Sequence, residues 1–509
     1  MVIKLVFLVV FFAIMLLVGI YARKHATSVG DFVLGGRTVG PWLTAFAYGT
    51  TYFSAVVFVG YAGQFGWKYG MSATWIGLGN ALIGSLLAWL ILGRRTRVMT
   101  QHLQSSTMPD FFGSRYDSRT LKLVASAIVF VFLVPYTASV YNGLSRLFEM
   151  AFDIPYWACV LGMAVLTGIY VILGGYMATA INDFIQGIIM LGGIIAMIIA
   201  VLNRQGGLTG AVNKLAKLSS EQGQSGAFTS LFGPDPVNLL GVVILTSLGT
   251  WGLPQMIHKF YAIKDEKSIR TGTVISTIFA VIISGGCYFL GGFGRLFDSP
   301  SLYKENGSVI YDAIIPHILS SLPDVLIGIV IVLVLSASMS TLSSLVLTSS
   351  STLTLDFIKG TIVKNLNEKK QLLIMRILIV FFIALSVILA LNPPTFIAQL
   401  MGISWGALAG SFLAPFIYGL YWKGVTKWAV WASFAAGVGI TVSNMFLKYI
   451  ASPVNAGAVA MVAGLVVVPV VSLLTPKPDK NKVDEIFTCY GKKKNNRKKA
   501  PIEEQYAAD

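Results

Sequence analysis

Tyr48-Gly49-Thr50-Thr51-Tyr52-Phe53-Ser54 and Gly249-Thr250-Trp251-Gly252-Leu253-Pro254 each interrupt a long apolar block. In the first, polar and β-branched residues weaken a helix in mid-block and offer backbone carbonyls. In the second, proline removes a backbone donor and two glycines loosen the chain. Lipid cannot satisfy freed backbone groups, so breaks at membrane depth persist where they are buried in protein or line a cavity. Glycines also let neighbouring membrane helices pack closely, and either stretch alone admits that reading. The breaks stand about five spans apart, each in the first helix of its half. That matched placement favours the broken helices of a secondary transporter built from inverted repeats.

The surrounding composition agrees. The chain has 509 residues, 55% hydrophobic and only 12% charged, too little polar side chain to clothe soluble globules of this size. The apolar residues fall in blocks of roughly 18 to 25, the length that crosses about 30 Å of hydrocarbon. They show no period-2 alternation, which argues against a transmembrane barrel. About thirteen spans are expected, near 3–21, 42–66, 74–93, 121–149, 156–175, 183–202, 237–257, 271–294, 322–355, 372–391, 396–421, 428–448 and 454–475. Residues 5–20 look like the core of a secretory signal, but Ala22-Arg23-Lys24-His25 follows where a small-residue cleavage site is needed. The segment is expected to remain as the first span.

The net charge of +16 is read as topology rather than as a nucleic-acid surface, and no nucleic-acid partner is expected. Arg23, Lys24, Arg37, Arg94, Arg97, Arg115, Lys259, Lys264, Lys359, Lys364 and Lys423 fall on one side. The other receives mainly Lys4, Lys68, Arg204, Lys214, Lys217, Lys304 and Lys448. That bias places the N-terminus outside and the C-terminus inside. Residues 1–475 form the expected membrane domain. Residues 476–509 form a basic cytoplasmic tail expected to be disordered, with Lys492-Lys493-Lys494 and Arg497-Lys498-Lys499 near anionic lipid. Two outer loops, around 203–236 and 295–321, read as irregular or lid-like, and Asn306-Gly307-Ser308 is a glycosylation acceptor in form. Cys159, Cys287 and Cys489 have no disulfide or zinc spacing.

Ser336 through Ser344, followed by Thr348-Ser349-Ser350-Ser351-Thr352, places hydroxyls at unusual density inside a span. Ala337, Ser340, Thr341 and Ser344 share one helix face and could present two hydroxyls and a carbonyl to a cation. Serines in lipid also bond back to their own helix or pack helices together, and both readings stay open here. Asp183 lies at the junction of two spans. A carboxylate at that depth must be paired, hydrated or ligating, although it could also cap the following helix. No arginine or lysine is placed at midplane to hold a substrate carboxylate, so an anionic solute would rely on a helix N-terminus or a bound sodium.

Asp31-Phe32-Val33-Leu34-Gly35-Gly36-Arg37, Gly174-Gly175-Tyr176 with Asp183 and Gln186, Gly252-Leu253-Pro254-Gln255 and Ala337 through Ser344 together resemble motifs of the sodium:solute symporters. The resemblance covers nearly the whole chain. It implies an all-α polytopic membrane protein with a five-plus-five inverted repeat, over roughly 42–202 and 237–421. It also implies a multi-pass importer of the cell membrane with sodium as its only metal and no catalytic residues. By the same resemblance, a first sodium site takes the carbonyls of Thr50, Phe53 and Ala337 and the hydroxyls of Ser340 and Thr341. A second takes Asp183, Ser340, Ser343 and Ser344, giving two sodium ions per cycle. The solute is expected near Tyr52, Ser54, Tyr136, Tyr141, Thr250, Trp251 and Trp405, and one chain is expected to suffice. Proline carriers of this family have an aspartate where Tyr52 stands, while Gly252-Leu253-Pro254-Gln255 followed by Lys264-Asp265 looks closer to the pantothenate-type branch. Pantothenate, an amino acid such as proline, or another small carboxylate are the candidate solutes. A transporter-like sensor or a channel is the alternative, weakened by a short tail and by localised breaks in place of a continuous polar path.

Overall fold

Long runs of Leu, Ile, Val, Ala and Phe satisfy their backbone groups within helices, the arrangement lipid requires. The computed structural model describes residues 2–152, 154–219, 223–320, 322–363, 366–392 and 397–491. Among them, β-pairing is confined to isolated bridges. Ten helices among the described residues are long and apolar enough to cross a membrane: Val56–His102, Arg119–Glu149, Tyr156–Arg204, Pro236–Ala262, Glu266–Gly291, Asp324–Lys359, Glu368–Leu391, Ile397–Tyr421, Lys427–Leu447 and Pro453–Leu474. Two further helices, Val2–Ala22 and Pro41–Tyr52, precede them.

Burial separates a central group from a peripheral one. The apolar stretch of Ile397–Tyr421 is 89% buried and that of Asp324–Lys359 is 78% buried, against 33% for Glu368–Leu391 and for Lys427–Leu447. The peripheral pair turns Leu373, Ile377, Val380 and Phe446 outward, as helices facing acyl chains do. The serine-rich helix, Asp324–Thr352, lies at the centre and packs on Val2–Ala22, Pro41–Tyr52, Arg119–Phe152 and Tyr156–Arg204. Its hydroxyls are therefore inside protein rather than in lipid.

Both expected breaks are present. The first helix of the first half runs Pro41–Tyr52 and stops. Phe53 departs from helical geometry at φ −106°, ψ 87°, and the Ser54 hydroxyl accepts the Val56 N–H at 3.2 Å where the helix resumes. In the second half Pro236–Leu248 tightens into a turn at Gly249–Trp251, and Leu253 is extended at φ −86°, ψ 121°. Pro254 then opens Pro254–Ala262, a first-turn position where its missing N–H costs nothing.

Two other breaks rest on glycine conformation. Gly70 has φ 62°, ψ −138° and Gly175 has φ 52°, ψ −143°, a region that side chains exclude. A Cβ on Gly175 would lie 2.6 Å from the Phe32 carbonyl oxygen, and one on Gly70 would lie 2.3 Å from that of Phe228. The Gly175 break changes the reading of Asp183. The helix resumes at Tyr176, so Asp183 sits about two turns inside it and not at a junction. It is not a cap.

The outer loops are more ordered than expected. Gly207–Ala216 is helical, as is Tyr311–Ser320, and Ala211, Leu215, Phe228 and Phe293 make a small separate core. The segment after Pro476 also differs from a disordered tail. Lys480–Phe487 is an α-helix, with Asp484 2.6 Å from Lys423 and Lys482 2.6 Å from Asp117. Val483 is buried, and Phe487 lies under the Arg115 guanidinium at 5.1 Å. The charges that suggested disorder conceal this apolar face. Lys364 and the expected basic cluster from Lys492 onward lie outside the described residues.

Candidate functional site

The serine-rich helix meets the first broken helix through uncharged oxygens. Ser340 Oγ donates to the Thr50 carbonyl at 3.0 Å and also reaches the Ala337 carbonyl at 3.1 Å. Thr341 Oγ1 lies 3.3 Å from the Thr50 carbonyl, 3.1 Å from that of Thr51 and 3.1 Å from that of Ala337. Thr50, Thr51, Ser340 and Thr341 are all buried. The helix stops just beyond Thr50 and Thr51, which turns their carbonyls toward the hydroxyls instead of into an uninterrupted ladder. Hydroxyl protons rotate freely, so the same oxygens can turn lone pairs to a hard cation. Four of the five residues of the first expected set thus converge. Among the described residues the Phe53 carbonyl forms no hydrogen bond with the cluster, and the Thr51 carbonyl stands in it.

About one turn further along the serine-rich helix, the second expected set holds a charge of its own. Asp183 is fully buried, and neither carboxylate oxygen has a hydrogen-bond partner among the described residues. The Lys259 ammonium is 3.6 Å from Asp183 Oδ2 and donates to Ser344 Oγ at 2.9 Å. Ser344 Oγ in turn is 2.9 Å from Thr51 Oγ1. The Tyr176 ring lies 5.3 Å from the ammonium, within cation–π range. Ser343 does not join this group; its hydroxyl returns to the Ser340 carbonyl at 2.9 Å. Lys259 therefore corrects two expectations. It is 2% exposed, not a loop residue marking the inner face, and it is a basic group placed beside the broken helices. The signal was its position in Pro254–Ala262, a buried helix begun by the second break.

Part of the aromatic set gathers as expected. Tyr52 stacks on Phe53 with ring centres 4.2 Å apart and on Trp405 at 6.2 Å, and Tyr136 meets Trp405 edge-on at 5.8 Å. The Tyr52 hydroxyl donates to the Thr246 carbonyl at 2.6 Å, which ties the two broken helices together. Thr250 Oγ1 bonds the Gly84 carbonyl at 3.1 Å, and Trp251 Nε1 the Ile83 carbonyl at 3.0 Å, so both lean on the helix after the first broken one. Tyr141 is buried with its hydroxyl unpaired among the described residues. Tyr48, whose hydroxyl also bonds the Gly84 carbonyl at 2.7 Å, was not anticipated.

The end of the broken helices next to Val39 and Lys264 is closed by backbone pairing. Val39 N–H donates to the Ala262 carbonyl at 3.2 Å and Lys264 N–H to the Val39 carbonyl at 3.0 Å. Arg37 adds bonds to the carbonyls of Thr100 and Tyr261 at 3.4 Å. Burial, with Arg97 nearby, lowers its guanidinium pKa to about 10, still fully charged at neutral pH. The segments flanking the two broken helices are thus clasped to each other on this side.

A profile of the sodium:solute symporter family matches residues 32–437. The chain is 28% identical to the osmoregulated proline transporter of Bacillus subtilis (strain 168), over 92% of this chain and 94% of that one. It is also 28% identical to a sodium/proline symporter of Staphylococcus aureus (strain JH9), over 94% of this chain and 96% of the other. Among solved structures it resembles a substrate-bound, outward-open sodium-coupled sialic acid symporter, with TM-score 0.75 and 18% identity, over 93% of this chain and 98% of that one. A manganese transporter of Eremococcus coleocola gives TM-score 0.51 and 13% identity, over 88% and 95%. These structural likenesses fix the fold as that of an all-helical transporter.

Proposed function

This chain belongs to the sodium:solute symporter family, and from that premise we propose a sodium-driven importer of a small amino acid, with proline the first candidate. It is a multi-pass plasma-membrane transporter and not an enzyme. The observation that carries the reading is the convergence of Thr50, Ala337, Ser340 and Thr341 oxygens at 3.0–3.3 Å between the broken helix and the serine-rich helix. Sodium held there would fix the first broken helix in its solute-competent position, and linkage would make solute and ion bind with mutual preference. The expected second sodium, at Asp183, Ser340, Ser343 and Ser344, meets a lysine already in that place. The driving ion proposed here is therefore the one at the neutral set.

Thirteen spans are supported by the two over-long helices. Val56–His102 and Tyr156–Arg204 have 47 and 49 residues, about 70 Å each at 1.5 Å per residue and more than twice the hydrocarbon thickness. Breaking each at its glycine, Gly70 or Gly175, makes two spans of it. With Val2–Ala22 the total is odd, in keeping with an outer N-terminus and an inner C-terminus. The five-plus-five inverted repeat is supported by the matched breaks at Phe53 and Leu253.

Proline stands first because both near-full-length relatives above carry it in their names. With Tyr52 in place of an acid, the solute ammonium would meet the faces of Tyr52, Tyr136 and Trp405 and carbonyls freed at the breaks. Pantothenate is the second candidate. Uptake of labelled proline by proteoliposomes, with unlabelled proline, pantothenate, other amino acids, monocarboxylates, sugars and sialic acid as competitors, tests the assignment. Proline and its close analogues should compete; full competition by pantothenate alone would reverse the order.

A further inference from the structure

The Asp183 carboxylate already has a cation. Lys259 Nζ lies 3.6 Å from Oδ2, and both residues are buried. Its stem rises from Pro254–Ala262, the inner half of the second broken helix. Through Ser344 and Thr51 its ammonium is linked to the serine-rich helix and to the first broken helix. One side chain thus joins the second broken helix, the Asp183 helix, the serine-rich helix and the first broken helix. Those are the cross-links a mobile ion bound by Asp183 and Ser344 would make.

We propose that the Lys259 ammonium is a tethered counter-cation that takes the place of a second sodium ion, so that each chain binds one sodium, at the neutral oxygens. The inference rests on the symport reading above. With the carboxylate neutralised by Lys259, an added sodium would bring net positive charge into a buried site and be repelled by the ammonium at close range. The ammonium also takes up one of the two lone pairs of the Ser344 hydroxyl. A tethered cation cannot leave with the solute, so this link holds the helices without drawing on the sodium gradient. Among the described residues the neutral set has no such internal cation: the hydroxyls of Ser340 and Thr341 bond to carbonyls.

Binding of radioactive sodium to the purified full-length protein tests this directly, with sodium alone as the probe. The wild type should bind about one sodium per chain, and Lys259→Ala, which frees the carboxylate and Ser344, about two. The double variant Asp183→Asn/Lys259→Met, which removes both charges together, should keep about one, with affinity within roughly threefold of wild type. Two ions on the wild type, a folded Lys259→Ala still at one, or a double variant that loses its sodium would each overturn the tethered-cation assignment. Should Lys259→Ala fail to fold, the wild-type and double-variant counts decide it. A wild type that binds no sodium would instead overturn the symport reading on which this assignment rests.

Discussion

The serine-rich helix carries two polar clusters about one turn apart, and they are built on opposite principles. Around Ser340 and Thr341 the hydrogen-bond partners among the described residues are neutral, and the oxygens crowd together around carbonyls released by a broken helix. Around Ser344 an acidic and a basic side chain face each other, both buried. Buried oxygens alone do not make an ion site; what matters is the charge already there. The neutral cluster can take a cation and release it, since the hydroxyls can return to the carbonyls. The charged cluster is complete without one, so its role is to hold helices.

The difference predicts opposite phenotypes. The largest effect should come from Asp183→Ala, which strands a buried ammonium at a cost of about 3–5 kcal/mol. Thermal unfolding in detergent should show that loss, and Asp183→Asn/Lys259→Met should recover most of it. Equal losses in single and double variants would mean that the two groups do not act as a pair. Ser340→Ala/Thr341→Ala should do the reverse: little change in unfolding temperature, but sodium affinity reduced about 100-fold, at roughly 1–1.5 kcal/mol per hydroxyl. Gly175→Ala forces a side chain into a left-handed position against the Phe32 carbonyl. It should cost about 2 kcal/mol of stability while leaving the sodium affinity of whatever folds within about threefold, because the break positions Asp183 and not Ser340. Tyr52→Phe removes the 2.6 Å bond to the Thr246 carbonyl. It should weaken solute half-saturation about fivefold, near 1 kcal/mol, with sodium affinity in the absence of solute unchanged.

Much of this architecture was legible in the sequence because lipid is a strict solvent. Apolar block length marked where long membrane-length helices lie, and residues that cannot sit quietly in a membrane helix, from Tyr48 to Ser54 and from Gly249 to Pro254, marked the breaks. The face shared by Ala337, Ser340, Thr341 and Ser344 followed from helical period; Ser340, Thr341 and Ser344 meet Thr50 or Thr51 of the first broken helix, while the Ala337 carbonyl accepts from hydroxyls of its own helix. Lys259 was misread because positive charge near the end of an apolar block ordinarily marks the cytoplasmic face. What overrides that rule is a carboxylate on a helix distant in sequence, and pairing at that range leaves no local pattern. Asp183 was misread for a related reason: the helix resumes at Tyr176, made possible by a glycine conformation that spacing does not reveal. The tail helix Lys480–Phe487 was hidden by its charges, although Val483 and Phe487 stand four residues apart on one face.

The central claim is that sodium acts on solute uptake through the neutral oxygens between Thr50 and Ser340. Its most direct test is the uptake of labelled proline by proteoliposomes under an inward sodium gradient, compared with the same gradient of choline, for the wild type and Ser340→Ala/Thr341→Ala. The account predicts accumulation by the wild type in sodium only, and a folded double variant that stays at the choline level at the same sodium concentration. Accumulation by the double variant equal to that of the wild type, or by the wild type in choline, would contradict it.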